Sequence, residues 1–469
     1  MIDFCRNWNE GITLLIGLRP TKKVPLTSCF EGAFIMAKIS IIGAGSAVFT
    51  KNIVVDILNI AALEAGTIAL VDIDAQRLSL ADKLVKKVIE LTGKKWNVLS
   101  STDRREVIQN SDFVINQIEV AGLQTVKYEY EIPLKYGVKQ CIGDTMGPGG
   151  LFKTMRTVPA WLDIVRDIEE LAPNALILNY TNPMSAVTLA TIKVTEMPVV
   201  GLCHSIQNTS RQLSEYLGIP YPELKWQAGG INHMSWFVEL SHGGRDMYPV
   251  LKEKIRDPEL LKKDPVRFDA MKHLGAFVSE SSGHFSEYIP YYRKRQDLID
   301  KHCSTGYNGG TGFYANNWPT WREDNDRRIE QFVSGKEKIS LESSREYAPI
   351  IIDGVVTNEP RVIYGNVLNE GLISNLPSDG VVEVGCLVDR NGVHPTKFGK
   401  LPEHLAALCR SNMSFFDLSV SAVIERDKEM ALHALMVDPL TAAVCSLSEI
   451  EKMFDELFEA ETPYIGDYR

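Results

Sequence analysis

Cys203 and His204 stand side by side at the end of an apolar run, MPVVGLCHSIQ (197–207). A thiol beside an imidazole can be a nucleophile with its base, half of a metal site, or two ordinary residues ending a strand. On extended backbone, neighbouring side chains point to opposite faces, so Cys203 and His204 are poor partners for one metal ion while the strand persists. A nitrogen ligand to join the thiol is offered by His233 in GGINHMSW (229–236), a glycine-rich turn thirty residues further on. One thiolate and one imidazole would leave several coordination positions open for substrate oxygens, as a catalytic metal requires. His204 would then be free as an acid or base.

A second cluster lies in GAGSAVF (43–49). Gly43 and Gly45 fit the first two glycines of a dinucleotide fingerprint, Ser46 follows them, and Val48 stands where a third glycine would set helix–strand packing. Asp72 closes the next strand, where a carboxylate can accept hydrogen bonds from a ribose and repel a 2′-phosphate, favouring NAD over NADP. Asp144 in GDTMGPGG precedes a loop open to close backbone approach and is a candidate for sugar hydroxyls, or else a turn-forming residue. Asn182, held before Pro183, has its amide beyond another strand end.

These residues need a scaffold, and the hydrophobic pattern supplies one. Apolar strands are expected at 38–45, 67–74, 113–118, 175–180 and 199–203. Helices are expected near 75–92, where Leu78, Ala81, Leu84, Val85, Val88 and Ile89 recur at helical spacing, and at 151–171 and 183–195. Strands alternating with helices imply an α/β fold with a doubly wound, Rossmann-type parallel sheet, whose ligands bind beyond the carboxyl ends of the strands. Residues 36–230 read as this dinucleotide-binding domain. Residues 231–469 read as a second, mixed α/β domain for substrate and oligomerisation, with long helices near 259–280, 401–412 and 418–435. Residues 1–35 read as an extension that the fold does not need.

The 469 residues carry a formal net charge of −10 and no basic tract, which argues against a nucleic-acid partner. No apolar run approaches the roughly 20 residues of a membrane span. Eight scattered cysteines with no CxxC pair suit a reducing cytoplasm.

Ten segments in order then carry a resemblance: IGAGS, DTMGPGG, NYTNPM, GLCHSIQ, GINHM, ESSGHFSEYIPYY (280–292), SREYA, VIYGNV, VEVGCLVD and PTKFG. The chain resembles the NAD- and manganese-dependent glycosidases of glycoside hydrolase family 4, and its CHS triplet resembles their α-galactosidase branch. The resemblance implies that Cys203 and His233 hold Mn²⁺, that Asn182 contacts sugar hydroxyls, that His204 is the proton donor or an assistant to the metal, and that Tyr288 is the base. It also implies a homodimer or homotetramer. The family departs from the two-carboxylate glycosidase scheme. The implied route is oxidation at C3 by NAD⁺, removal of the acidified C2 proton, elimination of the glycosidic oxygen, addition of water and return of the hydride. Phosphoglycosidase branches carry an arginine where this chain has Glu119, so an unphosphorylated galactoside is the expected substrate. An α-galacturonide or α-glucuronide stays open, with Lys153, Arg156 and Arg345 available to a carboxylate. So do a plain 2-hydroxy-acid dehydrogenase, which would consume NAD and need no Cys–His metal site, and a nucleotide-sensing module without activity.

Overall fold

The computed structural model describes residues 36–303 and 306–469; the expected extension at 1–35 lies outside the described residues. Six strands form the parallel half of the sheet: β1 (Met36–Ile42), β2 (Ala65–Val71), β3 (Lys95–Ser101), β4 (Phe113–Asn116), β5 (Leu176–Asn179) and β6 (Val199–Gly201). Their spatial order is β3-β2-β1-β4-β5-β6, all parallel. This is the doubly wound order that reverses between β1 and β4 and opens a crevice there. β4 and β5 are buried along their whole length, as strands covered on both faces must be.

The helices of this half are α1 (Ala47–Leu58), α2 (Ala75–Thr92), α3 (Gly122–Lys135), α4 (Gly147–Leu171), α5 (Met184–Val194) and α6 (Ser205–Leu217). α2 shows how its sequence sets its limits. The Asp74 carboxylate accepts from the amides of Gln76 and Arg77, and Gly93 ends the helix in left-handed conformation. Its buried stripe is Leu78, Ala81, Leu84, Val85, Val88 and Ile89.

The remaining strands are β7 (Lys225–Ile231), β8 (Met234–His242), β9 (Arg245–Asp246), β10 (Phe277–Val278), β11 (Arg361–Leu368), β12 (Val381–Asp389) and β13 (Gly392–Pro395). They do not build a sheet of their own. The order continues β6-β11-β12-β7-β8-β10, so one sheet passes through both halves of the chain. The seam is antiparallel: Asn366 of β11 pairs with Gly201 of β6, and Glu383 of β12 pairs with Gly230 of β7. The division expected near residue 230 falls within β7, and the sheet is shared across it, its strand direction changing between β6 and β11.

Other boundaries differ for local reasons. The helix expected over 259–280 is three elements, Pro258–Lys263, Pro265–Leu274 and β10, because Pro265 restarts the chain and Gly275 ends it at φ 86°. The helices expected at 401–412 and 418–435 are instead Glu403–Glu425 and Lys428–Val437, broken at Arg426 (φ 56°) and recapped by Asp427. No helix among the described residues is long and apolar enough to cross a membrane.

Candidate active site

A cavity of about 950 Å³ opens at the carboxyl ends of the parallel strands. Its first wall is the turn between β1 and α1. Gly43 has φ 85°, and a Cβ there would lie 2.7 Å from the Gln117 carbonyl oxygen; a Cβ on Gly45 would lie 2.6 Å from Asp72 Oδ2. Both positions demand glycine, and the backbone they leave bare faces the cavity at a helix N-terminus, where a pyrophosphate is bound by amide hydrogens. Asp72 accepts from Gly45 N at 2.7 Å and from Asp74 N at 2.9 Å, which fixes its carboxylate at the cavity edge. Gly43, Gly45, Ser46 and Asp72 all line this wall, so the four residues read as a dinucleotide cradle lie together. Val48, at the missing third glycine, packs between α1, α2 and the helix Phe313–Ser334.

The second wall holds the thiol. β6 ends at Gly201, Leu202 and Cys203 form the turn, and His204 already has helical dihedrals (φ −83°, ψ −10°) as the N-cap of α6. The onset of this helix, and not the alternation of an extended strand, sends Cys203 and His204 in different directions. His233 sits in the two-residue turn between β7 and β8 at φ 63°, and Glu280 has φ 70°. Left-handed backbone is uncommon for such residues and persists where the surroundings enforce it, as at functional sites. Sγ of Cys203, an imidazole nitrogen of His233 and a carboxylate oxygen of Glu280 all lie within 4.8 Å of one another. Thiolate, imidazole and carboxylate together suit a borderline divalent cation and leave room for substrate oxygens.

The electrostatics of this trio fit a cation. Burial pushes the Cys203 thiol up to about 12, with the Glu280 and Glu383 charges adding to the effect. Burial also holds His233 down to about 4 despite Glu280, so its imidazole is a neutral ligand. For Glu280, burial acts upward, but the charge of His233 where that imidazole is protonated, the hydrogen bond and charge of His284 and the Ser281 amide hold its pKa well below the usual carboxylate value. Metal binding would displace the thiol proton.

Tyr288 does not line the cavity. It ends the fully buried helix Ser282–Tyr288, and its hydroxyl lies 3.1 Å from His233 Nδ1, behind the imidazole. With Nε2, 3.4 Å from Glu280, as the ligand nitrogen, Nδ1 would carry the proton and the phenol oxygen would accept it. In this position the expected base also contacts a candidate ligand. The phenol nearest the trio on the cavity wall is Tyr307, which donates to Glu280 Oε1 at 3.1 Å.

His204 lines the cavity and is paired through Nε2 with both oxygens of Glu346, at 2.6 and 2.7 Å. Burial works against its protonation, but the hydrogen bond and charge of Glu346 prevail and raise its pKa. Asn182 faces the cavity with its carbonyl oxygen engaged by Met184 N, so the amide hydrogens are left for a ligand. Asp144 accepts from His284 Nε2 at 3.2 Å and lies 3.8 Å from Lys153 Nζ. The Glu287 carboxylate accepts the backbone amides of Cys141, Ile142 and Gly143, clamping the loop that carries Asp144.

Of the three cations read as available to a carboxylate substrate, two are paired with carboxylates and the third lies away from the cavity. Lys153 reaches the cavity but is paired with Glu119 at 2.8 Å. Arg156 is buried between Glu129 and Glu461. Arg345 is exposed and does not line the cavity.

Glu280 and Glu346 were not singled out by the sequence pattern. Both stand in segments that carry the resemblance, but a lone carboxylate in a serine- or arginine-containing loop has no periodicity to mark it. Only the fold brings them to Cys203 and His204.

A Rossmann-type sheet with a glycine cradle and a thiol–imidazole–carboxylate trio in one cavity defines a dinucleotide- and metal-dependent enzyme. The family 4 glycosyl hydrolase model matches residues 38–219, and the C-terminal domain model of the same family matches 228–441. The chain is 39% identical over 448 residues to an alpha-galactosidase of Bacillus subtilis (strain 168), covering 92% of this chain and all of the relative. An alpha-galactosidase of Rhizobium meliloti (strain 1021) is 35% identical over 92% of this chain and 89% of its own. The chain belongs to glycosyl hydrolase family 4. A 6-phospho-alpha-glucosidase from gut microorganisms, solved with NAD and Mn²⁺, shares the fold at a TM-score of 0.78 and 21% identity, over 92% of this chain and 100% of that one. The 6-phospho-beta-glucosidase of Thermotoga maritima, solved with manganese, NAD⁺ and glucose-6-phosphate, shares it at 0.76 and 24%, over 91% and 99%.

Proposed function

We propose that the chain is an α-galactosidase that hydrolyses unphosphorylated α-galactosides and requires NAD and a divalent cation, Mn²⁺ by the precedent of its relatives. The observation that carries this reading is the placement of the glycine cradle and the Cys203–His233–Glu280 trio in one cavity. A plain dehydrogenase has no use for the trio, and a nucleotide sensor has no use for the sugar-facing Asn182 and Asp144. The names of the two relatives with the highest identities quoted above supply the sugar. The Glu119–Lys153 pair supports a neutral one, because the lysine charge is already matched.

Gly43, Gly45, Ser46 and Asp72 would hold the dinucleotide, and Cys203, His233 and Glu280 the cation. When bound, these groups supply a reversible hydride acceptor that acidifies the proton at C2 and a Lewis acid for the neighbouring sugar oxygens. The chain's own residues do the rest. Asp144 and His284 form an anchored charged pair able to take sugar hydroxyls, and Asn182 offers its amide hydrogens. His204, whose protonated form Glu346 favours, stands beside Cys203 to give a proton to the departing glycosidic oxygen. Tyr288 acts through His233. The six described cysteines are all free, in keeping with a reducing cytoplasm.

The test is cleavage of a chromogenic α-galactoside with NAD⁺, Mn²⁺ and reductant each withheld in turn. Loss of cleavage without NAD⁺ or Mn²⁺, with no net NADH formed, is the expected result. Steady NADH production without sugar release would overturn the reading.

A further inference from the structure

A second pocket of about 240 Å³ adjoins the cavity and shares Ser46, Arg77, Trp318 and Arg322 with it. One side is the start of α1, Ser46 to Val48, and the other is a face of the helix Phe313–Ser334. None of Cys203, His233, Glu280 or Asn182 lines it. The helix follows the parallel half in sequence, yet it is fastened beside the dinucleotide cradle. Ile329 and Phe332 pack with Ala47, Val48, Ala81 and Leu84 of α1 and α2. Lys87 Nζ donates to the Phe332 and Val333 carbonyl oxygens at 3.1 and 3.2 Å.

Arg77 completes the fastening. Its Nε and Nη2 donate to the Gly45 carbonyl oxygen at 3.1 and 2.7 Å, and its Nη1 meets Asp326 Oδ2 at 3.1 Å. Arg322 stands one helical turn before Asp326, about 6 Å along the axis. Among the described residues Arg322 has no ion pair within 4 Å. The other two arginines lining the cavity, Arg77 and Arg267, are paired with Asp326 and Asp264. Burial and the Arg77 charge lower the pKa of Arg322 against the more distant Asp326, Asp72 and Glu119, so its charge lacks a close partner.

We infer that Arg322 is a binding residue for the dinucleotide, its guanidinium holding the pyrophosphate against the glycine cradle. The inference rests on the NAD requirement of the proposed function and adds to it a phosphate ligand from outside the parallel half. The cradle offers backbone amides and a helix N-terminus worth roughly half a positive charge, less than an anionic pyrophosphate carries. A guanidinium supplies the remainder and forks onto phosphate oxygens. Arg322 is the unpaired one at this wall, and its place beside Ser46 and Arg77 assigns it to the cofactor in preference to the sugar. The proposed reaction reduces and reoxidises NAD within one cycle, so nothing is gained by releasing it between turnovers. A cation that slows its departure suits that chemistry.

The experiment measures dissociation constants of NAD⁺, ADP-ribose and adenosine by calorimetry, without sugar, for the wild type, Arg322→Gln and Arg322→Lys. Arg322→Gln is expected to weaken NAD⁺ and ADP-ribose by roughly ten-fold or more, as loss of a charge-assisted hydrogen bond does, and to leave adenosine unchanged. Arg322→Lys keeps the charge without the fork and is expected to lose less, with the same selectivity. The lysine variant carries the test where the glutamine variant does not fold. Equal NAD⁺ affinity in wild type and variants would overturn the inference. So would an equal loss for adenosine, which has no phosphate and would mark a packing role. A wild type that binds no NAD⁺ is a different result and would refute the cofactor requirement itself.

Discussion

His233 Nε2 lies 3.4 Å from Glu280 Oε2, and both residues hold left-handed backbone, at φ 63° and 70°. Two unrelated turns, one closing the β7–β8 hairpin and one preceding a buried helix, spend conformational energy to bring these side chains face to face beside Cys203. That cost of order 1–3 kcal/mol each is tolerated where the rest of the fold over-determines the geometry.

If Glu280 is a ligand, Glu280→Gln weakens Co²⁺ or Mn²⁺ binding by roughly 10–100-fold or more, the range seen even for residues that only support a ligand. With Co²⁺ in place of Mn²⁺, the thiolate charge-transfer band from Cys203 remains while the d–d bands change. Cys203→Ser removes the charge-transfer band. Unchanged affinity and spectra in Glu280→Gln would restrict the site to Cys203 and His233.

The Glu346 carboxylate keeps His204 protonated to higher pH than an isolated histidine. An acid is useful only below its pKa, so the alkaline limb of kcat/KM reports this group. Glu346→Gln removes the main raising influence and leaves burial, which lowers, against the smaller raising charge of Glu280, so the limb moves to lower pH. His204→Ala is expected to cost roughly 10²–10⁴-fold on alkyl galactosides and less on activated aryl ones, as removal of a general acid does. A pH profile that stays in place in Glu346→Gln would remove His204 from the role.

Glu383 is fully buried and accepts from Ser235 Oγ at 2.6 Å and Asn366 Nδ2 at 3.3 Å, yet burial outweighs these bonds and pushes its carboxyl up to about 8. Its folded pKa lies above the unfolded value, so between about 4.5 and 8 the native state binds the extra proton. Its contribution to stability is complete below about 4.5 and is lost as pH rises through about 8, with a slope of up to about 1.4 kcal/mol per pH unit. Glu383→Gln, measured without metal, is expected to retain its melting temperature better than the wild type between pH 6 and 8. Parallel curves would show that Glu383 does not titrate in this range.

Much of the parallel half is legible in the sequence because its periods are strong. The six-residue stripe of α2 recurs at helical spacing, and Asp72, Asn182 and Cys203 each follow an apolar strand whose end is easy to see. β3 is harder, since KWNVLSS is a mostly exposed edge strand without a clean alternation. The pairing of Gly201 with Asn366 joins residues 165 positions apart, and no local pattern announces it. Glu280 escapes for a related reason: its place beside the thiol depends on a left-handed dihedral that a non-glycine residue gives no sign of adopting. Tyr288 shows the reverse case, a residue whose motif is plain but whose orientation only packing decides.

The seam between β6 and β11 also has a mechanical consequence. Cys203 follows the last strand of the parallel half, while His233 and Glu280 belong to the antiparallel half, so the trio straddles a hydrogen-bonded join and not a hinge. The two halves match separate family models, yet cutting the chain between residues 219 and 228 would expose an unpaired strand edge on each piece, a template for aggregation. The chain is matched in two parts but built on one sheet, so the three candidate ligands are held on a single hydrogen-bonded framework.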